Sequence, residues 1–154
     1  MTVEAVPKGY HTITPYMTVR DAARAIEFYK QAFGAVEKGV SKGPDGKIMH
    51  AELRIGDSVF MLADEFPEFG ALSPQSTGGA GMGLHIYIED VDSAFDRAVK
   101  AGAKVEMPVA DMFWGDRYGK LADPFGHKWS IGTHKRDVTM EEMEEAMKQL
   151  PKSA

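Results

Sequence analysis

Residues 83–106, GLHIYIEDVDSAFDRAVKAGAKVE, repeat the plan of residues 14–37, TPYMTVRDAARAIEFYKQAFGAVE. Each copy opens with alternating apolar residues, turns at an acidic residue, runs at helical spacing to a glycine and returns as a strand. Asp21 answers Asp90 and Ala25 answers Ala94 at an offset of 69 residues, whereas Gly34-Ala35 answers Gly102-Ala103 at 68. The first helix therefore holds one extra residue. A period this long exceeds the repeats of solenoids and fits a duplicated module. The chain must fold as two related halves.

The order of elements follows from punctuation. In the first half a strand is predicted over 12–19, with Pro15 marking an early or edge position. Asp21 caps a helix in which Ala22, Ala25, Ile26, Tyr29 and Phe33 share one face, and Gly34 ends it. A strand over 35–40 and a turn at Pro44-Asp45-Gly46 follow. Residues 66–82, FPEFGALSPQSTGGAGM, are rich in Pro, Gly and Ser and read as a hinge without regular structure. Their GGAGMG lacks the strand before and helix after that a nucleotide-binding glycine loop requires. The second half repeats the plan with strands over 84–89 and 104–108 and a helix over 91–100. Asp123-Pro124-Phe125-Gly126 then reads as a type I turn between two further strands. Module boundaries are expected at 12–65 and 83–134, with a C-terminal helix over 138–150. Thr139 and Glu142 form a capping box for that helix, and Met140, Met143, Met147 and Leu150 line one side of it. Such a stripe suits a dimer contact or a lid over a pocket. The fold class is α+β, built from two βαβββ modules.

The clearest hairpin spans 47–64. Met49, Ala51, Leu53 and Ile55 alternate with His50, Glu52 and Arg54, and Gly56-Asp57 forms a two-residue turn. Counting back from the turn, Arg54 faces Val59, Glu52 faces Met61 and His50 faces Ala63. Directly paired residues share a sheet face. One face is thus apolar and meets the helix, while the other carries His50, Glu52, Arg54 and Met61. By the same alternation Tyr16, His85 and Tyr87 belong to the open faces of their strands.

Composition excludes several roles. The 154 residues include no Cys, so disulfide and thiolate chemistry are absent. A net charge of −5 with interspersed signs lacks the basic face that nucleic acid requires. No apolar run approaches the ~18 residues of a membrane span, and the N-terminus shows no secretory pattern. A cytoplasmic protein is expected, with no membrane or nucleic-acid partner.

Two βαβββ modules ending in a DPFG turn resemble the vicinal oxygen chelate superfamily, the glyoxalase / bleomycin-resistance / dioxygenase fold. The strings KIMHAELRIGDSVFMLADE and FWGDRYGKLADPFGHKWSI are similar to the PhnB-like branch, and the resemblance spans 12–134. It implies sheets curled into half-barrels around a ligand cavity, and a homodimer. In enzymes of this group a divalent metal is held by His, Gln or Glu on the first and last strands of each module, acting as a Lewis acid. Carried over, those positions fall near Thr14, Met61, Gly83 and Ser130. A hydroxyl, a thioether and a missing side chain do not replace imidazole and carboxylate, so the expected cofactor is none.

Three functions remain open, the last of them an interaction module acting through the terminal helix. The first is a small-molecule binding protein, with Tyr16, His50, Glu52, Met61, His85, Tyr87, Trp114, Arg117, Tyr118 and Ser130 lining its cavity. In that reading Trp114 and Tyr118 stack on a planar ligand and Arg117 grips an acid group. Alternatively, Trp114 and Tyr118 close the barrel end and Arg117 pairs with Asp116 or Asp123. The second function is a metal-dependent lyase, isomerase or dioxygenase using His50, Glu52 and His85 as a relocated site for Zn, Ni or Fe. No catalytic residue stands out from spacing. His11, His127 and His134 read as surface or turn residues, and Trp129 as core.

Overall fold

Each copy of the repeat forms a four-stranded sheet with one helix packed on it, in a computed structural model that describes residues 2–151. The first comprises β1 (Tyr16–Val19), α1 (Ala22–Phe33), β2 (Val36–Lys42), β3 (Ile48–Ile55) and β4 (Ser58–Asp64). A 3-10 turn at Pro67–Phe69 and a short α2 (Pro74–Thr77) lead to the second. That one comprises β5 (Gly83–Tyr87), α3 (Val91–Ala101), β6 (Lys104–Asp111), β7 (Asp116–Ala122) and β8 (Lys128–His134). Strand orders are β1-β4-β3-β2 and β5-β8-β7-β6, so each module pairs its first strand in parallel with its last. A final α4 (Met140–Lys148) follows.

The predicted caps are present. Asp21 Oδ1 accepts the Arg24 N–H at 3.2 Å, and Asp90 Oδ1 accepts that of Ser93 at 3.1 Å. Gly34 ends α1 at φ +67°, a conformation that only glycine adopts freely. A second device ties each helix to its sheet. Asp64 accepts the N–H of Ala22 and of Ile48, both at 2.8 Å, and in the second module Thr133 Oγ1 accepts that of Val91 at 3.0 Å.

Several features differ from expectation for a local reason. β1 begins at Tyr16 rather than Thr12, and Ile13 is exposed. Pro15 has no N–H to extend the ladder, though its carbonyl accepts from Met61 at 2.8 Å. Met49 does not join the apolar face, because the pairing of β2 with β3 slips between Ser41 and Lys42. Ile48 takes the buried place and Met49 turns outward. β6 runs past Pro108 to Asp111, and its irregular pairing and edge position accommodate a residue without a donor. The hinge contains α2, whose first residue is a proline already shaped for a helix start.

The helix-facing sides of both sheets join in one core. Tyr29 is fully buried and Trp129 is 4% exposed, as its alternation predicts. Trp129 lies 4.6 Å from Phe33 and 6.2 Å from Phe60, centroid to centroid, so it bridges the modules. Arg97 of α3 reaches the last carbonyls of α1, with Nε 2.6 Å from Gln31 O, and caps that helix from the other module. His127 is not a plain surface residue, for its Nε2 lies 3.0 Å from Thr18 O across the module boundary.

The tail is anchored before it becomes helical. His134 Nδ1 meets Asp116 Oδ1 at 2.7 Å and its Nε2 meets Asp137 Oδ1 at 2.8 Å. Two carboxylates at the two ring nitrogens favour imidazolium, and the hydrogen bond to Asp116, then that to Asp137, raises the His134 pKa. The stabilisation is complete below the free imidazole value of 6.5 and is lost as pH rises through the higher folded value. Melting temperature is therefore expected to fall between about pH 6 and 8, more steeply in the wild type than in His134→Gln. Equal slopes would exclude this contribution. Beyond the anchor, α4 has the expected capping box, with the Thr139 N–H 2.9 Å from Glu142 Oε2 and the Glu142 N–H 3.1 Å from Thr139 Oγ1. Its Met140 and Met147, and Leu150 just beyond it, are exposed while Met143 is half-buried, so among the described residues most of the apolar stripe is uncovered. Among the described residues no helix is long and apolar enough to cross a membrane.

Candidate functional site

The hairpin register places the first polar cluster. Ile55 pairs with Ser58 around a turn whose first central residue, Gly56, has φ +57°, so Glu52 stands opposite Met61 and Arg54 opposite Val59. Tyr16 of β1 pairs with Met61 from the other side. The predicted residues Tyr16, His50, Glu52 and Met61 do share the open face of this sheet. Tyr16 Oη lies 2.9 Å from His50 Nδ1, and His50 Nε2 lies 3.2 Å from Glu52 Oε1. A carboxylate only accepts, so Nε2 carries the proton in that bond, and in the neutral ring Nδ1 accepts from the Tyr16 hydroxyl.

Tyr10 completes this chain of hydrogen bonds and is invisible to pattern reading. Its hydroxyl donates to Glu52 Oε2, and Lys38 sits 4.6 Å above its ring. The Tyr10 hydroxyl, and secondarily His50, lower the Glu52 pKa, while the same carboxylate raises that of Tyr10. Burial raises the Tyr16 pKa. The lead-in segment has no periodicity, so no local signal connects Tyr10 to a residue 42 positions later.

The second cluster occupies the matching face of the other sheet. His85 pairs in register with Ser130, Lys120 pairs with the same serine, and Tyr118 pairs with Gly132. His85 Nδ1 is 2.7 Å from Ser130 Oγ. Its ring stacks on Tyr118 at 5.6 Å and 25°, and meets the edge of Tyr87 at 4.4 Å. Gly132 makes room for it, since a Cβ there would lie 3.2 Å from His85 Cε1. A glycine inside a strand is a legible mark of such close approach. Burial lowers the His85 pKa, with the charge of Asp116 opposing, which favours a neutral ring near pH 7. Trp114 stands edge-on to Tyr118 at 5.2 Å, its Nε1 held by Asp116 at 3.2 Å.

Arg117 does not join this cluster. It alternates with Tyr118 and lies on the helix side of β7, where its Nε and one terminal nitrogen grip both oxygens of Asp92 at 2.8 and 2.9 Å. A further bond of 3.3 Å runs to Asp111. Neither Asp116 nor Asp123 is its partner. Asp116 holds Trp114 and His134, and Asp123 holds Tyr29 and Trp129.

Open cavities run along these faces. One of about 410 Å³ is walled by His85, Tyr118, Lys120, Lys128, Ser130 and Met82. It shares Met82, Leu84 and Lys128 with a cavity of about 280 Å³ that reaches Tyr16. A third, of about 340 Å³, holds Tyr10, Glu52, Met61 and Thr14. On the helix side a cavity of about 320 Å³ lies between Phe33, Ile86 and Arg97, away from both histidine clusters.

The four metal positions implied by resemblance do not fit a divalent ion. Thr14 Oγ1 is bonded to His11 O at 3.0 Å, Met61 offers a thioether, Gly83 has no side chain and Ser130 holds His85. Among the alternative set, His50 and Glu52 are neighbours, but His85 lines a different cavity. Among the described residues no three His, Asp or Glu side chains converge as a cation site.

Residues 10–131 match the family model described as the Glyoxalase/Bleomycin resistance protein/Dioxygenase superfamily. An uncharacterized protein of Mycobacterium bovis is 48% identical over 138 residues, covering 88% of this chain and 91% of its own. The X-ray structure of an Arabidopsis thaliana gene product superposes with a TM-score of 0.64 at 29% identity, over 79% of this chain and 98% of that one. The PhnB protein from Bacillus cereus has the same fold, with a TM-score of 0.62 at 20% identity over 80% and 99% of the two chains.

Proposed function

The chain belongs to the glyoxalase/bleomycin resistance protein/dioxygenase superfamily, and from that premise we propose that it binds a small organic molecule along its concave sheet faces, without a metal at the superfamily's usual corners. One observation carries this reading. Each open face centres on a histidine already held by groups of its own sheet, His50 by Tyr16 and Glu52, His85 by Ser130. Oriented polar groups set among aromatic and Met side chains, in connected cavities of a few hundred Å³, are the usual make-up of a small-molecule pocket. Tyr16 and Tyr118 supply flat apolar area, with Tyr87 packed on His85 and Trp114 on Tyr118 behind it, and Met61 and Met82 supply adaptable surface.

The test combines metal analysis with ligand screening. Protein purified without chelator is expected to hold no stoichiometric transition metal. Planar drugs and 2-oxo compounds, screened by thermal shift, are expected to include stabilising ligands whose effect weakens in His50→Ala or His85→Ala. A hundredfold excess of ligand over its Kd adds about 2.7 kcal/mol, enough to read as a clear rise in melting temperature. One equivalent of Zn, Ni or Fe in the wild type, lost in both variants, would overturn the reading in favour of a relocated metal site.

A further inference from the structure

We propose that the cavity of the second module takes a planar organic anion, with its acid group at Lys120 and Ser130 and its ring against Tyr118. This rests on the small-molecule reading above and adds the charge and shape of the ligand. The chain as a whole carries a net charge of −5, so a cavity with surplus positive charge runs against its composition. Two ammonium groups, Lys120 and Lys128, face this cavity together with one carboxylate, Glu106. Lys128 is paired with Glu106, whereas Lys120 has no ion pair among the described residues. The surplus is one positive charge, and it stands beside Ser130, its register partner on β8.

Ser130 and His85 give the anion its second contact. With the ring proton of His85 on Nδ1, the imidazole donates to Ser130 Oγ 2.7 Å away, and the serine's own hydrogen is then free to turn toward an incoming oxygen. The wall beside them is flat, because the His85 and Tyr118 rings stack within 25° of parallel and Trp114 braces Tyr118 from its edge. A cavity of about 410 Å³ is near the small end of ligand pockets and suits one or two fused rings. Outside the cavity the charge of Asp116 acts on His85, and its oxygens are already taken by Trp114 and His134.

The probes are 2-naphthoate and 2-naphthamide, which share a shape and differ by one charge, titrated calorimetrically into the full chain. Wild type is expected to bind the acid about tenfold more tightly than the amide, equivalent to ~1.4 kcal/mol. Added salt should narrow that gap. Lys120→Met, at an exposed site, should abolish the preference by weakening binding of the acid, and Lys120→Arg should retain it. Equal affinity for the two probes in the wild type, or a preference that survives Lys120→Met, would overturn the anion site while the small-molecule reading stood. Binding of neither probe at millimolar concentration would count against both.

Discussion

Asp123→Ala is expected to destabilise the protein by about 3–5 kcal/mol, because it takes a buried acceptor from several neutral donors, each stranded at about 1–3 kcal/mol. The carboxylate is 6% exposed and accepts four hydrogen bonds. Tyr29 Oη donates at 2.6 Å and Trp129 Nε1 at 2.9 Å, while the N–H groups of Phe125 and His127 donate at 2.9 and 3.0 Å. One residue thus shapes the DPFG turn and fastens α1 of the first module to β8 of the second. Burial, and then the charge of Asp123, raise the Tyr29 pKa well above its ordinary value, so this phenol remains a donor through the physiological range. Removing the acceptor strands buried donors at about 1–3 kcal/mol each, less whatever water can restore. Asp123→Asn keeps the shape and one acceptor oxygen, and its loss should be smaller. Urea unfolding with an unchanged m-value would read both variants directly. A midpoint for Asp123→Ala within the wild-type error would show that Asp123 does not join the modules.

Gly115→Ala is expected to cost about 3 kcal/mol and to release the tail. Gly115 has φ +99°, and a Cβ there would lie 2.1 Å from Arg136 O and 3.0 Å from Val138 Cγ2. Its carbonyl accepts the N–H of Lys135 at 2.9 Å and of Arg136 at 3.1 Å. An alanine must either move the tail or hold a strained backbone, at about 1–3 kcal/mol for the strain alone. Each tail hydrogen bond lost adds about 1 kcal/mol. The distinguishing readout is limited trypsinolysis, since Lys135 and Arg136 lie in the displaced segment. Cleavage there should accelerate well before the sheets open. Wild-type stability together with wild-type cleavage rates would refute the clash.

How much was legible depended on the distance over which each interaction acts. The helix caps at Asp21 and Asp90, the αL glycine at Gly34 and the Gly56 turn are decided within a few residues, and all are where their local chemistry puts them. Face alternation was equally local, and it correctly set His50, Glu52 and Met61 on one side and Trp129 on the other. It failed at Met49, where a slip in pairing reverses parity, because a bulge depends on the partner strand. Applied to the consecutive residues Arg117 and Tyr118 of β7, the same rule puts Arg117 on the helix side, where Asp92 and Asp111 occupy its donors, so expecting both to line one cavity set the rule aside.

The chain's own order of residues determined the duplicated modules, their caps and turns, and which side chains share a sheet face. These are consequences of backbone preference and of a period of two along a strand. Packing in three dimensions alone decided that Tyr10 reaches Glu52, that Tyr29 of the first module meets Asp123 of the second, and that His127 meets the carbonyl of Thr18. Those encounters join residues far apart in the chain, and spacing along a strand carries no measure of distance across a fold.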